Sequence, residues 1–287
     1  MFKSLKRVIF IFSFIFKNNM RNPKIYISIL LGFSCMISPM MGLLEFYEFG
    51  KQPFNFSEVF IILQSGHGNI FMHTLAIVLM LAEAPFLNIS SRYMLFRTTR
   101  LSWVMGSTLY GFISIFLYYL TIFIGTLLFF NQRLFLGNLW SDSFFELTKS
   151  NYYAPYAGLL SYTNPLKACF YSFLFPFLYA LAIFMIFYTL NLIKGKIWGI
   201  ASVVLIQVIG YVMISDSLTN KGIPKISLLA NSILIYHKET NTDILMGFGH
   251  SYILYSVIII ACLILLKKYF HGYDVGGFTE EQADVGG

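Results

Sequence analysis

The stretch Ile89–Gly106, "ISSRYMLFRTTRLSWVMG", places three arginines and no acid between two long apolar runs. The chain around it has 287 residues, of which 57% are hydrophobic and 11% charged, and its mean hydropathy is +0.70. A soluble domain carries about 25% charged residues, so the composition is that of a membrane protein. Phe (31) and Tyr (19) are heavily used, as suits lipid-facing and interfacial positions. The net charge of +7 does not read as nucleic-acid binding, because the cations sit at the ends of apolar segments, where they orient spans in a bilayer.

A spanning helix needs roughly 20 mostly apolar residues. Six stretches are read as spans: Ile25–Leu44, Ile70–Leu87, Trp103–Phe130, Ala168–Asn191, Ile197–Ile214 and Tyr252–Leu266. The fold class expected is therefore an all-α integral membrane protein with six transmembrane helices. Thirteen of the 20 Lys and Arg residues fall on one side of that arrangement. They lie in the N-terminal segment, at Arg92, Arg97 and Arg100, at Lys194 and Lys196, and at Lys267 and Lys268. The other seven are spread over long loops diluted by eight acids, Glu58 among them. By the positive-inside rule both termini are cytoplasmic, which an even number of spans permits.

The connections are unequal. Two outer loops run to 37 residues each, Asn131–Lys167 and Ser215–Ser251. The second holds "IPKISLLANSILIYH" (Ile223–His237), whose apolar run is too short to span and reads as an interfacial or re-entrant helix before the last span. The tyrosines of "NYYAPYAGLLSY" (Asn151–Tyr162) suit either the outer interface or a loop lying on lipid. Residues 1–23 begin like a signal peptide but lack a small-residue cleavage site. Their cations fall on one sector of a helical wheel, so they read as an amphipathic helix in the plane of the membrane, ended by Asn22-Pro23. Residues 24–268 form the transmembrane domain, and 269–287 a flexible cytoplasmic tail.

Motifs for chemistry are few. "KGKIWG" lacks both the first glycine and the hydroxyl of a phosphate-binding loop, and there is no H-E-x-x-H, C-x-x-C or G-x-S-x-G. His67 and His73 share a helix face poorly, and Cys35, Cys169 and Cys262 have no metal-type spacing. The spans hold one acid, Glu83, read either as the ion-pair partner of Arg92, Arg97 or Arg100 or as a carboxylate reaching the interface alone. Neither a resident metal nor an enzymatic activity is expected.

These features coincide with two loosely patterned stretches, "FKNNMRNPKIYISILLG" (Phe16–Gly32) and "EAPFLNISSRYMLFRTTRLSWVMG" (Glu83–Gly106). Together they resemble the ABC-2 type permease family, the membrane subunits of a class of bacterial ABC exporters, over nearly the whole chain. The resemblance implies that the first stretch ends an elbow helix. It implies that residues 90–100 carry a coupling helix, with Ser90 or Ser91 as its cap and Arg92, Tyr93, Met94, Phe96, Arg97 and Arg100 docking a cytosolic ATPase. ATP and Mg would then be bound by that ATPase partner and no cofactor by this chain. The further partners implied are a second permease copy, identical or a paralogue, and membrane lipids, but no nucleic acid. The location implied is the bacterial plasma membrane. The apolar spans favour export of amphipathic or hydrophobic peptides, with lipids, lipophilic drugs or lipid-linked polysaccharide as alternative cargo. A channel, secondary transporter or membrane anchor without an ATPase is the competing class. Orientation alone also accounts for the three arginines, but not for Tyr93, Met94 and Phe96 among them.

Overall fold

A computed structural model describes residues 2–86, 98–150, 152–216, 225–238 and 246–272. α1 (Phe2–Asn19) is followed by α2 (Pro23–Gly50), which Asn22 caps through its side chain and Pro23 enters at its first turn. After β1 (Phe54–Asn55) come α3 (Phe56–Gln64) and α4 (His67–Met80). α5 (Arg100–Phe130) starts at the Thr99 cap, whose side chain accepts from the backbone N–H of Ser102, and leads to β2 (Leu134–Phe135), which pairs with β1. Two short helices, α6 (Asp142–Thr148) and α7 (Ala157–Tyr162), precede α8 (Pro165–Lys194). α9 (Lys196–Asp216), α10 (Leu228–Asn231), the β3 (His237–Lys238) and β4 (Met246–Gly247) bridge, and α11 (Phe248–Gly272) complete the chain.

Five of these helices, α2, α5, α8, α9 and α11, are long and apolar enough to cross a membrane. α8 is the axis: 72% of its apolar window is buried, against 22–33% for the other four. A helix apolar on all sides belongs in the centre of a bundle. α3, α4, α5, α9 and α11 pack around it, with α2 against α4 and α1 against α5. The outward faces of α2, α9 and α11 expose large apolar side chains such as Leu30, Leu205 and Ile253, a surface suited to lipid.

The expected second span, Ile70–Leu87, is not one spanning helix. α4 has 14 residues, which at about 1.5 Å per residue falls short of a hydrocarbon core of roughly 30 Å. Gly66 is extended at its start (φ −74°, ψ 127°), and Pro85 disfavours helix at the residue before it. Leu81–Pro85 forms a turn instead. The segment Ile223–His237, expected to form an interfacial or re-entrant helix, is described from residue 225 onward. The only α-helix there among the described residues is the four-residue α10, and Leu229, Ala230, Ile233 and Leu234 are buried within the bundle rather than laid on its surface.

α1 carries Lys6, Arg7 and Lys17 outward and buries Ile11 and Ile15 against α5. The contact depends on Gly106, where a Cβ would come within 2.6 Å of the Ile11 Cγ2.

Candidate functional site

The cations expected on one side gather at one end of the bundle, called here the basic end. Lys24 begins α2 there, Arg100 begins α5, Lys194 ends α8, Lys196 begins α9, and Lys267 and Lys268 lie near the end of α11. The turn Leu81–Pro85 also reaches this end, at the root of the connection that carries the arginine stretch.

That turn is fastened to three helices. Glu83 Oε1 accepts from Lys24 Nζ at 2.9 Å and from Asn22 Nδ2 at 2.8 Å. The Trp103 indole N–H of α5 donates to the Pro85 carbonyl at 3.2 Å, and Asn191 Nδ2 of α8 donates to the Ala84 carbonyl at 3.0 Å. Phe86 is buried edge-on against Tyr110, with ring centroids 5.0 Å apart. The Lys24 hydrogen bond, helped by Asn22 and the nearby charge of Lys196, holds the Glu83 carboxyl below the usual carboxylate range. The ion pair expected of Glu83 is thus present, but the partner described is Lys24 rather than one of the arginines.

Of the expected docking residues, Arg92, Tyr93, Met94, Phe96 and Arg97, with the caps Ser90 and Ser91, lie outside the described residues. Arg100 is described, as the first residue of α5 behind the Thr99 cap.

At the opposite end a buried carboxylate ties two loops together. Glu58, with no exposed surface, accepts from the Asn55 N–H at 2.8 Å and from the N–H and hydroxyl of Ser141 at 2.6 Å each. Asn55 returns the bond to its own helix as the other half of a capping box, and its Nδ2 donates to the carbonyls of Gly137 and Leu139. Burial pushes the Glu58 pKa up to about 7, against the pull of the hydrogen bonds from Ser141 and Asn55. The Asn55–Glu58 pattern was legible as a capping box, yet Glu58 was counted only as a loop acid.

Near that end a recess of about 560 Å³ is lined by Ser38, His67, Asn69, Tyr152, Tyr156 and Tyr211 among others. His67 stacks on Tyr236 and lies 3.1 Å from its hydroxyl. His73 is engaged elsewhere, with the Tyr118 hydroxyl at 2.8 Å. In a separate network, the Ser251 hydroxyl lies 2.7 Å from both His237 Nε2 and Asn231 Oδ1. His237 is stacked on Phe175 with centroids 4.3 Å apart, and burial depresses its pKa to about 4. This network holds the α10 segment in the bundle and had no signal in the sequence, because its members are separated by loops of unpredictable path. Among the described residues no group of three or more His, Cys, Asp or Glu could hold a metal ion, and no cysteine is in a disulfide.

Compared with known proteins, the chain matches no family model, no curated protein and no solved structure.

Proposed function

We propose that this membrane protein is the permease subunit of an ATP-driven ABC exporter in a bacterial plasma membrane, and that its arginine-bearing connection docks a separate ATPase. One observation carries the reading. The root of that connection is bonded to α2 through Lys24–Glu83, to α5 through Trp103 and to α8 through Asn191. A push on the connection is therefore delivered to three helices together, including the axial one, which is what a coupling element requires. The basic face of α1 beside α5 supports the same reading, since amines there meet anionic headgroups. ATP and Mg belong to the ATPase; this chain contributes no covalent step. A second permease copy would cover part of the exposed apolar surface.

The test is co-purification with a candidate ATPase from an adjacent reading frame, and the lack of such a frame would count against the reading. Arg97→Glu is expected to reduce ATPase capture at least tenfold, while a substitution on the far loops, Lys149→Glu, leaves it unchanged. Undiminished capture by Arg97→Glu overturns the docking assignment and favours a channel or anchor. For cargo, the apolar spans favour amphipathic peptides. The tyrosine-lined recess supports a second reading, lipid-linked polysaccharide, because sugars stack on aromatic faces and bond to hydroxyl, amide and imidazole groups. Transport into inverted vesicles containing the ATPase separates the two: peptide uptake without glycolipid movement supports the first, the reverse the second.

A further inference from the structure

A cavity of about 790 Å³ opens at the basic end, between the first turns of α5 and the last turns of α11. Three cations line it: Arg100 from α5, and Lys267 and Lys268 from α11. Leu101, Val104 and Ile264 supply an aliphatic wall, and no carboxylate of the described residues takes part in the lining.

The two chemistries are layered. α5 runs away from the basic end, so Leu101 and Val104 lie one to four residues deeper than Arg100. α11 runs towards that end, so Ile264 lies three to four residues deeper than Lys267 and Lys268. At about 1.5 Å per residue the aliphatic wall begins within roughly one turn of the cations. The wall continues into the outward faces of both helices, through Met105 and Phe112 on α5 and Ile260, Val257 and Ile253 on α11, all exposed. A molecule entering sideways from a bilayer therefore meets apolar surface along its length and positive charge at its end.

From this layering we propose that the cavity is a binding site for one anionic phospholipid. Its phosphate is held by Arg100, Lys267 and Lys268, and an acyl chain lies against Leu101, Val104 and Ile264. A free phosphate would use the cations but leave the aliphatic wall unoccupied. An acidic segment of a partner protein has no reason to follow a wall that opens into the lipid-facing surface. Basic clusters between helix ends on the cytoplasmic side of a membrane are attractive to anionic headgroups on general electrostatic grounds, and the cavity adds a defined place for one of them. The site does not depend on whether an ATPase docks.

The test uses the full chain purified in a neutral detergent. Thermal unfolding is followed as phosphatidylglycerol, phosphatidylcholine or inorganic phosphate is added, and retained lipid is counted by native mass spectrometry. The wild type is expected to retain one phosphatidylglycerol and to unfold at higher temperature with it, and to respond to neither of the other additions. The double substitution Lys267→Gln, Lys268→Gln is expected to weaken phosphatidylglycerol binding at least tenfold. The pair Lys194→Gln, Lys196→Gln, which removes the same charge at the same end but outside the cavity, is expected to leave binding unchanged. Ile264→Phe keeps every cation and fills the apolar wall, so it is expected to lower retention as well, and it guards against misfolding of the double variant. Equal losses in the two lysine pairs would mean unspecific attraction and overturn the site. So would a stabilising response to phosphate alone, or equal retention of phosphatidylcholine. Loss of ATPase capture in the Lys267, Lys268 variant with phosphatidylglycerol binding intact would assign the cavity to a protein partner instead.

Discussion

At the scale of single residues, the carboxylates of Glu83 and Glu58, at opposite ends of the bundle, behave oppositely because their surroundings differ. Glu83 is about two-fifths exposed and paired with Lys24, so its pair is screened by water and worth about 0.2–1 kcal/mol. Glu83→Gln is expected to shift the unfolding free energy by no more than that. Trp103→Phe removes a buried hydrogen bond to Pro85 and part of a fully buried ring, and is expected to cost about 1–3 kcal/mol by denaturation in detergent. A larger loss from Glu83→Gln than from Trp103→Phe would reverse the ranking. Glu58 is wholly buried, and its pKa is raised from 4.5 to about 7. The folded state then holds the Glu58 proton more tightly than the unfolded state. Its contribution to stability is present below pH 4.5 and lost as the pH climbs through about 7. The wild type should show that decline between about pH 5 and pH 8, and Glu58→Gln, which cannot titrate, should flatten it. Equal slopes in the two proteins would show that another group titrates.

Among the elements, helix position is set by a few close approaches. α1 rests on α5 because Gly106 leaves room for Ile11. Gly106→Leu is expected to lift α1 from the bundle, read as faster tryptic cleavage at Lys6, Arg7 and Lys17 in detergent. Gly42 of α2 is the contrasting case, since a Cβ there meets nothing within 4 Å. Gly42→Ala should be neutral or stabilise by up to about 1 kcal/mol, because alanine loses less backbone entropy in a helix. If both substitutions left cleavage and stability unchanged, the α1–α5 contact would carry no weight. α3 and α4 show why element boundaries escape a hydropathy reading. Window averages see continuous apolar residues across Ile70–Leu87, but the helix there ends at Met80 and a turn runs up to Pro85, which leaves the 14-residue α4 where one span was expected.

For the whole molecule, the geometry brings the first helix and the last turns of α11 to the basic end. α1 packs beside the start of α5, and Lys267 and Lys268 line a cavity with Arg100. The return of the chain from α2 is made by α3 and α4 together, since Glu83 at the end of that path meets Lys24 at the start of α2. Single cysteines introduced at Lys6 and Lys268 should therefore react with a membrane-impermeant maleimide from the same side of sealed vesicles, and one at Tyr152 from the opposite side. Cys169 and Cys262 are buried and Cys35 is half-buried, which keeps background labelling low. Labelling of Lys6→Cys and Lys268→Cys from opposite faces would overturn this arrangement.

Composition and hydropathy were enough to establish an all-α membrane protein, five of its long helices, the amphipathic first helix and the gathering of cations at one end. Each of these follows from the chain's own period and from the cost of placing charge in hydrocarbon, which local sequence records directly. The Asn22-Pro23-Lys24 start of α2 even held the clue to the partner of Glu83, because antiparallel neighbours bring the start of one helix beside the end of the next. What tertiary structure alone decided was how distant segments meet. Trp103 and Asn191 hold the turn at Pro85 and Ala84, Ser141 satisfies Glu58 across an 83-residue separation, and His237 finds Ser251. The layered cavity between α5 and α11 is of the same kind. Such contacts are chosen by packing between helices far apart in the chain, and periodicity along one helix says which face is buried but not what it is buried against.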